Sequence, residues 1–285
     1  KMMGLWNASI PLGSAIGVTM GGIIAQSLGW KHAFGLVAFP GLIIAILFLF
    51  VKDYKTVDTS FIDKMNNKVE MKAKDIYREL ITKPSLILTY FGMAAIVFVT
   101  TAMIVWLPKY FESERNMEPK TSGSLAGAVM VLAIIGAPLG GFIIDKWRKT
   151  QRKARLLFPA LSTLTSAIVL FISLTLLDGM GQLILLFVFG ILIMTFIAGA
   201  AAVTQDVIHP GLRARSYAVA VAVQNLLGSF TAPIIVGKIS DLSNIKTAMA
   251  FLPFVLLIGA LLFYIGSNFY VKDLEKVQHI DLEVA

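Results

Sequence analysis

Residues 4–22 read Gly4-Leu-Trp-Asn-Ala-Ser-Ile-Pro-Leu-Gly13-Ser-Ala-Ile-Gly17-Val-Thr-Met-Gly21-Gly22, an apolar run with five glycines and no charge. Shifted by 215 positions, Gly13 falls on Gly228, Ser14 on Ser229, Gly22 on Gly237, Lys31 on Lys246 and Ala33 on Ala248. Both copies are an apolar span, a short turn and a second apolar span. Glycines four apart put small surfaces on one helix face, where a second helix can pack backbone to backbone. A glycine-rich helical hairpin that occurs twice, far apart, implies a two-fold repeated membrane protein.

Composition agrees. Apolar residues make up 57% of the chain and charged residues 15%, against roughly 45–50% and about 25% for soluble domains. Mean hydropathy is +0.79. The formal charge of +8 does not point to nucleic acid, because the basic residues are scattered between apolar spans and form no continuous face. There is no cysteine, and hence no disulfide framework or thiol chemistry.

A helix needs about 20 apolar residues to cross a bilayer. Eight candidates meet this: residues 3–28, 33–51, 85–107, 122–144, 156–177, 183–203, 216–239 and 247–270. If the spans alternate in direction, nineteen of the 25 Lys and Arg residues fall on one side and six on the other. The positive-inside rule then places both termini in the cytoplasm, as an even number of spans requires. The acids all lie in loops, at span ends or in the tail, so no span carries an intramembrane carboxylate of the kind that marks proton or ion pathways.

The repeat also predicts more chain. Four spans precede the second copy and none precedes the first. Equal halves would place roughly 130 further residues, enough for four spans, ahead of Lys1. The expectation is an all-α membrane bundle showing eight of twelve transmembrane helices; the alternative is a true eight-span protein. Residues 1–51 would be the last two helices of an N-terminal half, 52–84 a cytoplasmic linker, 85–270 a six-helix C-terminal half and 271–285 a cytoplasmic tail. Within the linker, Ile62, Met65, Val69 and Ile76 recur at roughly helical spacing, which suits either an amphipathic surface helix or a solvated connection.

Three motifs resemble those of the major facilitator superfamily. Gly141-Phe-Ile-Ile-Asp145-Lys146-Trp-Arg148-Lys149 resembles the loop between the second and third helices of each half, with Arg148 in place of the family's second glycine. The resemblance implies that Gly141, Asp145, Lys146 and Lys149 form an inner gate latch. The opening stretch is similar to the fifth-helix motif of the family's antiporters, except that Val18 stands where the motif has proline. Its repeat mate is Pro233. The stretch reads as either an antiport motif or a packing face built on Gly13, Gly17, Gly21 and Gly22, with Gly228 and Gly237 in the second copy. Pro210-Gly-Leu-Arg213-Ala-Arg215 resembles the turn into the eleventh helix, and Arg213 joins the gate. Residues 206–241 also look somewhat like the spinster-type and organic-anion branches.

The resemblance implies a substrate cavity between the halves near the bilayer midplane. Polar groups deep in the lining spans are the candidates for it: Tyr90, Thr100, Thr101, Thr195, Gln224 and Asn225. A buried amide needs a hydrogen-bond partner, which could be a substrate or a neighbouring helix. Span 85–107 has no Lys or Arg, which disfavours holding a phosphate or carboxylate there. His32, His209 and His279 lack companion ligands at metal spacing, and no nucleophile–base pair or phosphate loop is visible. The function that the resemblance implies is secondary active transport of a small organic solute across the cell inner (plasma) membrane by alternating access, with a proton or sodium ion as the coupled partner. No enzyme chemistry, cofactor or metal is expected. The rival is a receptor or scaffold that keeps the fold without transport.

Overall fold

The computed structural model of the chain describes residues 13, 17, 24, 29–51 and 79–277. Residues 29–51 belong to one compact unit and residues 79–277 to another.

In the first unit, α1 runs Trp30–Phe48. It starts after Gly29, whose φ of 90° is open to glycine and strained for other residues. Large apolar side chains such as Phe39, Leu42 and Leu47 are exposed along it. This helix coincides with the expected span 33–51. The preceding span, 3–28, lies outside the described residues except at 13, 17 and 24, and so do Gly21, Gly22, most of the linker and the end of the tail.

The second unit holds six helices long and apolar enough to cross a membrane: α2 (Pro84–Arg115), α3 (Pro119–Arg148), α4 (Ala154–Thr175), α5 (Gly179–Asp206), α6 (Pro210–Leu242) and α7 (Ile245–Glu275). Most outrun their apolar cores. Span 85–107, for example, continues through Lys109 and Glu112 to Arg115. A helix satisfies its own backbone whatever its side chains are, so polar turns carry it past the roughly 30 Å hydrocarbon layer. Prolines begin α2, α3 and the 3-10 turn leading into α6, where a missing N–H costs nothing. Asn116, at φ 48°, ends α2.

The side-chain pattern of α4 shows what solvent these helices face. Ser162, Thr163, Ser166 and Ser173 are buried, while Leu161, Leu164, Ile168 and Phe171 are exposed. A water-soluble helix has the opposite arrangement. Lipid makes an exposed leucine cheap and sends hydroxyls inward to bond backbone carbonyls, as Ser166 does with Ser162 and Ser173 with Gln182. The protein is an integral membrane protein.

α7 packs against both α2 and α4. Its contact with α2 is close because Gly92 leaves room for the Phe263 ring; a Cβ at Gly92 would sit 2.8 Å from that ring. Phe263 also meets Phe196 of α5, with ring centroids 6.0 Å apart.

Three of the helices are irregular midway. In α3 the Ile135 amide donates to the Leu132 carbonyl, one residue tighter than α-helical, close to Pro138. In α5, residues 192–197 tighten in the same way without a proline. α6 loosens into a π-turn over Gln224–Ser229, just before Pro233. Proline cannot donate to the carbonyl four residues back.

Candidate functional site

The sequence candidates fall into two places. Gln224 and Asn225 open the π-turn of α6, a helix irregularity that often marks functional positions. Gln224 is buried; its amide donates to Ala220 O at 3.0 Å and lies 3.9 Å from the sulfur of Met93 on α2. Asn225 is exposed and donates to Val221 O at 2.9 Å. One turn on, Gly228 presses against α2: a Cβ there would lie 2.9 Å from Ala94 O and 3.0 Å from Phe98 N. Thr101 of α2 reaches Ser229 at 3.5 Å. Gly237 faces the Trp106 ring, 3.1 Å from where its Cβ would be. The second-copy glycine face is thus the contact between α6 and α2. At Gly13 and Gly17 a Cβ would meet nothing within 4 Å among the described residues.

The other candidates have internal partners. Tyr90 is buried, and its hydroxyl is 2.8 Å from Ser216 of α6, which in turn donates to Thr204 O of α5. Thr100 and Thr195 donate to carbonyls of their own helices, Ile96 O and Leu192 O, as threonine commonly does.

The residues expected at the gate lie at the more basic end of the bundle, the end where α6 begins. Gly141 is buried in α3, while Asp145, Lys146 and Lys149 are exposed at its end. Arg213 is exposed where α6 begins, after the 3-10 turn Pro210–Leu212.

At this same end the structure places a polar clamp that sequence reasoning missed. Asp273 of α7 is almost fully buried. One of its oxygens accepts from both the backbone N–H of Ser85 (3.0 Å) and the Ser85 hydroxyl (2.7 Å). A carboxylate from one helix thereby caps the N-terminus of another, where a negative charge also suits the helix dipole. Lys83, just before α2, is buried too; it pairs with Glu79 at 2.8 Å and donates to Val207 O, the carbonyl after the end of α5. That is the favourable polarity for a cation. Asp206, the last residue of α5, pairs with Arg155 at the start of α4 and accepts from the Tyr270 hydroxyl of α7 at 2.9 Å. An acid at a helix C-terminus opposes the dipole, and the guanidinium compensates. These pairs tie the ends of α2, α4, α5 and α7 together. Their sequence signal is weak: the charged members sit just outside the apolar runs, from one position (Arg155) to six (Glu79), where loop and interior look alike.

The closest backbone approaches also lie outside the predicted glycine set. A Cβ on Gly136 or Gly140 of α3 would overlap the carbonyls of Ile191 or Thr195 of α5, and one on Gly190 would overlap the carbonyl of Val129. The glycines and the carbonyls they meet are each four apart, so α3 and α5 interlock over a full turn. Thr195 contributes its backbone to this contact.

Among the described residues there is no group of three or more His, Cys, Asp or Glu able to hold a metal. A family model described as Major Facilitator Superfamily matches residues 1–233. The chain belongs to the major facilitator superfamily. It is similar to Protein spinster homolog 1 of Xenopus tropicalis, at 26% identity over 95% of this chain and 56% of that protein. It is also similar to the sphingosine-1-phosphate transporter SPNS2 of the same species, at 27% identity over 98% of this chain and 59% of the relative. The hexuronate transporter of Bacillus subtilis matches 54% of the chain at 28% identity. The chain therefore spans a little over half the length of the spinster relatives. A solved bacterial homolog of the human lysosomal transporter Spinster, described as inward-facing and unoccupied, shares the fold with a TM-score of 0.66 at 16% identity. The match covers 95% of this chain and 68% of that one. SPNS2 and the hexuronate protein are named as transporters, and the chain's family is one of membrane transporters rather than enzymes, which implies a small-molecule substrate and a bilayer.

Proposed function

We propose that this protein is a secondary active transporter that moves an amphipathic organic solute by alternating access, with residues 85–270 as the six-helix C-terminal half and residues 1–51 as the last two helices of its partner half. One observation carries the choice of solute. α6 is the least buried of the six helices. Around the π-turn it exposes Val221, Leu226, Leu227 and Phe230, with Asn225 as the polar group among them. Thr100 and Thr101, part-buried on α2, add hydroxyls, and the span 85–107 contains no cation. Such a wall suits an acyl or other apolar chain carrying a hydrogen-bonding head better than a sugar acid. The relatives include both classes by name, a sphingosine-1-phosphate transporter and a hexuronate transporter.

In this scheme Gln224 and Asn225 orient the polar head. Gly228 and Gly237 let α6 move against α2 as the halves rock. Asp145, with Gly141, Lys146, Lys149 and Arg213, latches the inner gate, and a proton or sodium ion supplies the driving force. Both termini face the cytoplasm of a plasma or inner membrane, as the nineteen-to-six division of basic residues supports.

The test is flux into proteoliposomes of the full-length protein, comparing a radiolabelled sphingoid base with glucuronate under imposed proton and sodium gradients. Saturable uptake of the sphingoid base, reduced by Asn225→Ala, is expected. Uptake of glucuronate alone would overturn the solute class. No saturable flux of either would favour a receptor or scaffold.

A further inference from the structure

The connection between α3 and α4 is the most densely basic part of the described chain. From Lys146 to Arg155, six of ten residues are Lys or Arg and none is acidic. Arg155 is committed to Asp206 inside the bundle. Lys146, Arg148, Lys149 and Arg152 are exposed, and Lys153 is half-buried. The run lies at the membrane-level end of α4, the helix whose outward stripe Leu161, Leu164, Ile168 and Phe171 repeats at helical spacing and is exposed along its length. Two chemically different surfaces therefore adjoin along the chain: a lipid-facing apolar stripe about three turns long on α4 and the cationic connection that leads into that helix.

We propose that this connection and stripe form a binding site for an anionic phospholipid, whose phosphate is held by Arg148, Arg152 and Lys153 and whose acyl chain lies along α4. Arginine suits this role because its planar fork can donate two hydrogen bonds to one phosphate. A single basic residue at an anionic membrane surface contributes about fivefold in affinity, from a free energy of about 1 kcal/mol. Three therefore give roughly a hundredfold at low ionic strength, and less as salt screens them. The site is separate from the substrate path and leaves the gate residues Lys146 and Lys149 in place.

The experiment titrates the purified, delipidated protein with phosphatidylglycerol or phosphatidylcholine and counts bound lipids by native mass spectrometry. Phosphatidylglycerol should bind at least tenfold more tightly. The triple variant Arg148→Gln/Arg152→Gln/Lys153→Gln should lose at least tenfold of that affinity while binding phosphatidylcholine as before. Lys238→Gln/Lys246→Gln, at the other end of the bundle, should change nothing. If the triple variant does not fold, Arg148→Gln and Arg152→Gln alone should each lose about fivefold. Equal binding of the two lipids, an unchanged triple variant, or full displacement of phosphatidylglycerol by inorganic phosphate would overturn the proposal.

Discussion

Two glycines on α3 should respond in opposite ways to the same substitution, Gly→Ala. Gly127 is exposed, and a Cβ there meets nothing within 4 Å. Alanine should stabilise by up to about 1 kcal/mol, because glycine is the costlier residue within a helix. Gly140 is buried against α5. Its Cβ would overlap the Thr195 carbonyl oxygen and lie 2.6 Å from the carbonyl carbon and 2.7 Å from Cα. All three are backbone atoms, so no rotamer change can relieve the clash. Ordinary carbon contacts begin near 3.5 Å, so the two helices must part by about 1 Å. That separation weakens the neighbouring contacts of Gly136 with Ile191 and of Gly190 with Val129. Overpacking of a well-packed interface costs about 1–3 kcal/mol, and the loss of a shared interlock places this site at the upper end. For a body of this size, 3 kcal/mol corresponds to a melting-temperature drop of roughly 6–12 °C. Thermal unfolding of the purified variants in one detergent, read by intrinsic fluorescence, measures it. If Gly140→Ala melts with the wild type, α3 and α5 do not interlock as described.

Other perturbations separate the remaining contacts. Gly228→Leu should push α6 off Ala94 and Phe98 and reduce transport at least tenfold at normal expression; unchanged flux would remove the packing role. Asp273→Ala strips the cap from Ser85 and should cost about 3 kcal/mol, the penalty for stranding buried donors, whereas Asp273→Asn keeps an acceptor and should cost roughly half as much. Equal melting temperatures for the two would show that charge and cap are both dispensable. Asp145→Asn should raise thiol labelling of single cysteines facing the cytoplasmic vestibule, and no change would sink the gating assignment.

The fold was legible because lipid reverses the usual rule. Residues such as Leu161 and Ile168 are apolar because they face outward, so the apolar runs mark spans directly whatever the packing. The runs could not show where the helices end, since Lys109 to Arg115 continue α2 on backbone hydrogen bonds alone. Nor could they distinguish which glycines touch. Gly228 is recognisable through its repeat mate Gly13, but Gly136 and Gly140 have no such mark, and only the crossing of α3 over α5 makes them necessary. Tyr90 and Thr195 illustrate the same limit. Both are polar groups at the right depth, yet depth alone does not say which way a side chain faces or whether a neighbour already satisfies it.

The clamp at the basic end gives the six-helix body a division of labour. Asp273, Lys83 and the Arg155–Asp206–Tyr270 group fasten α2, α4, α5 and α7 where the helices leave the membrane. Among the described residues, α6 joins this end through Ser216, held between Tyr90 and Thr204 near its start, and beyond that its contact with α2 runs through the π-turn, buried Ala232 and Val236, and the small surfaces of Gly228 and Gly237. A helix anchored at one end, with a loosened turn midway and small surfaces at its contact, is the one best built to bend. Transport by rocking halves requires a rigid frame and at least one compliant cavity wall. On the proposed transport reading, the frame is made of buried charges that would be costly to separate, and α6 meets α2 beyond Ser216 through small glycine surfaces and the long 3.5 Å contact between Thr101 and Ser229.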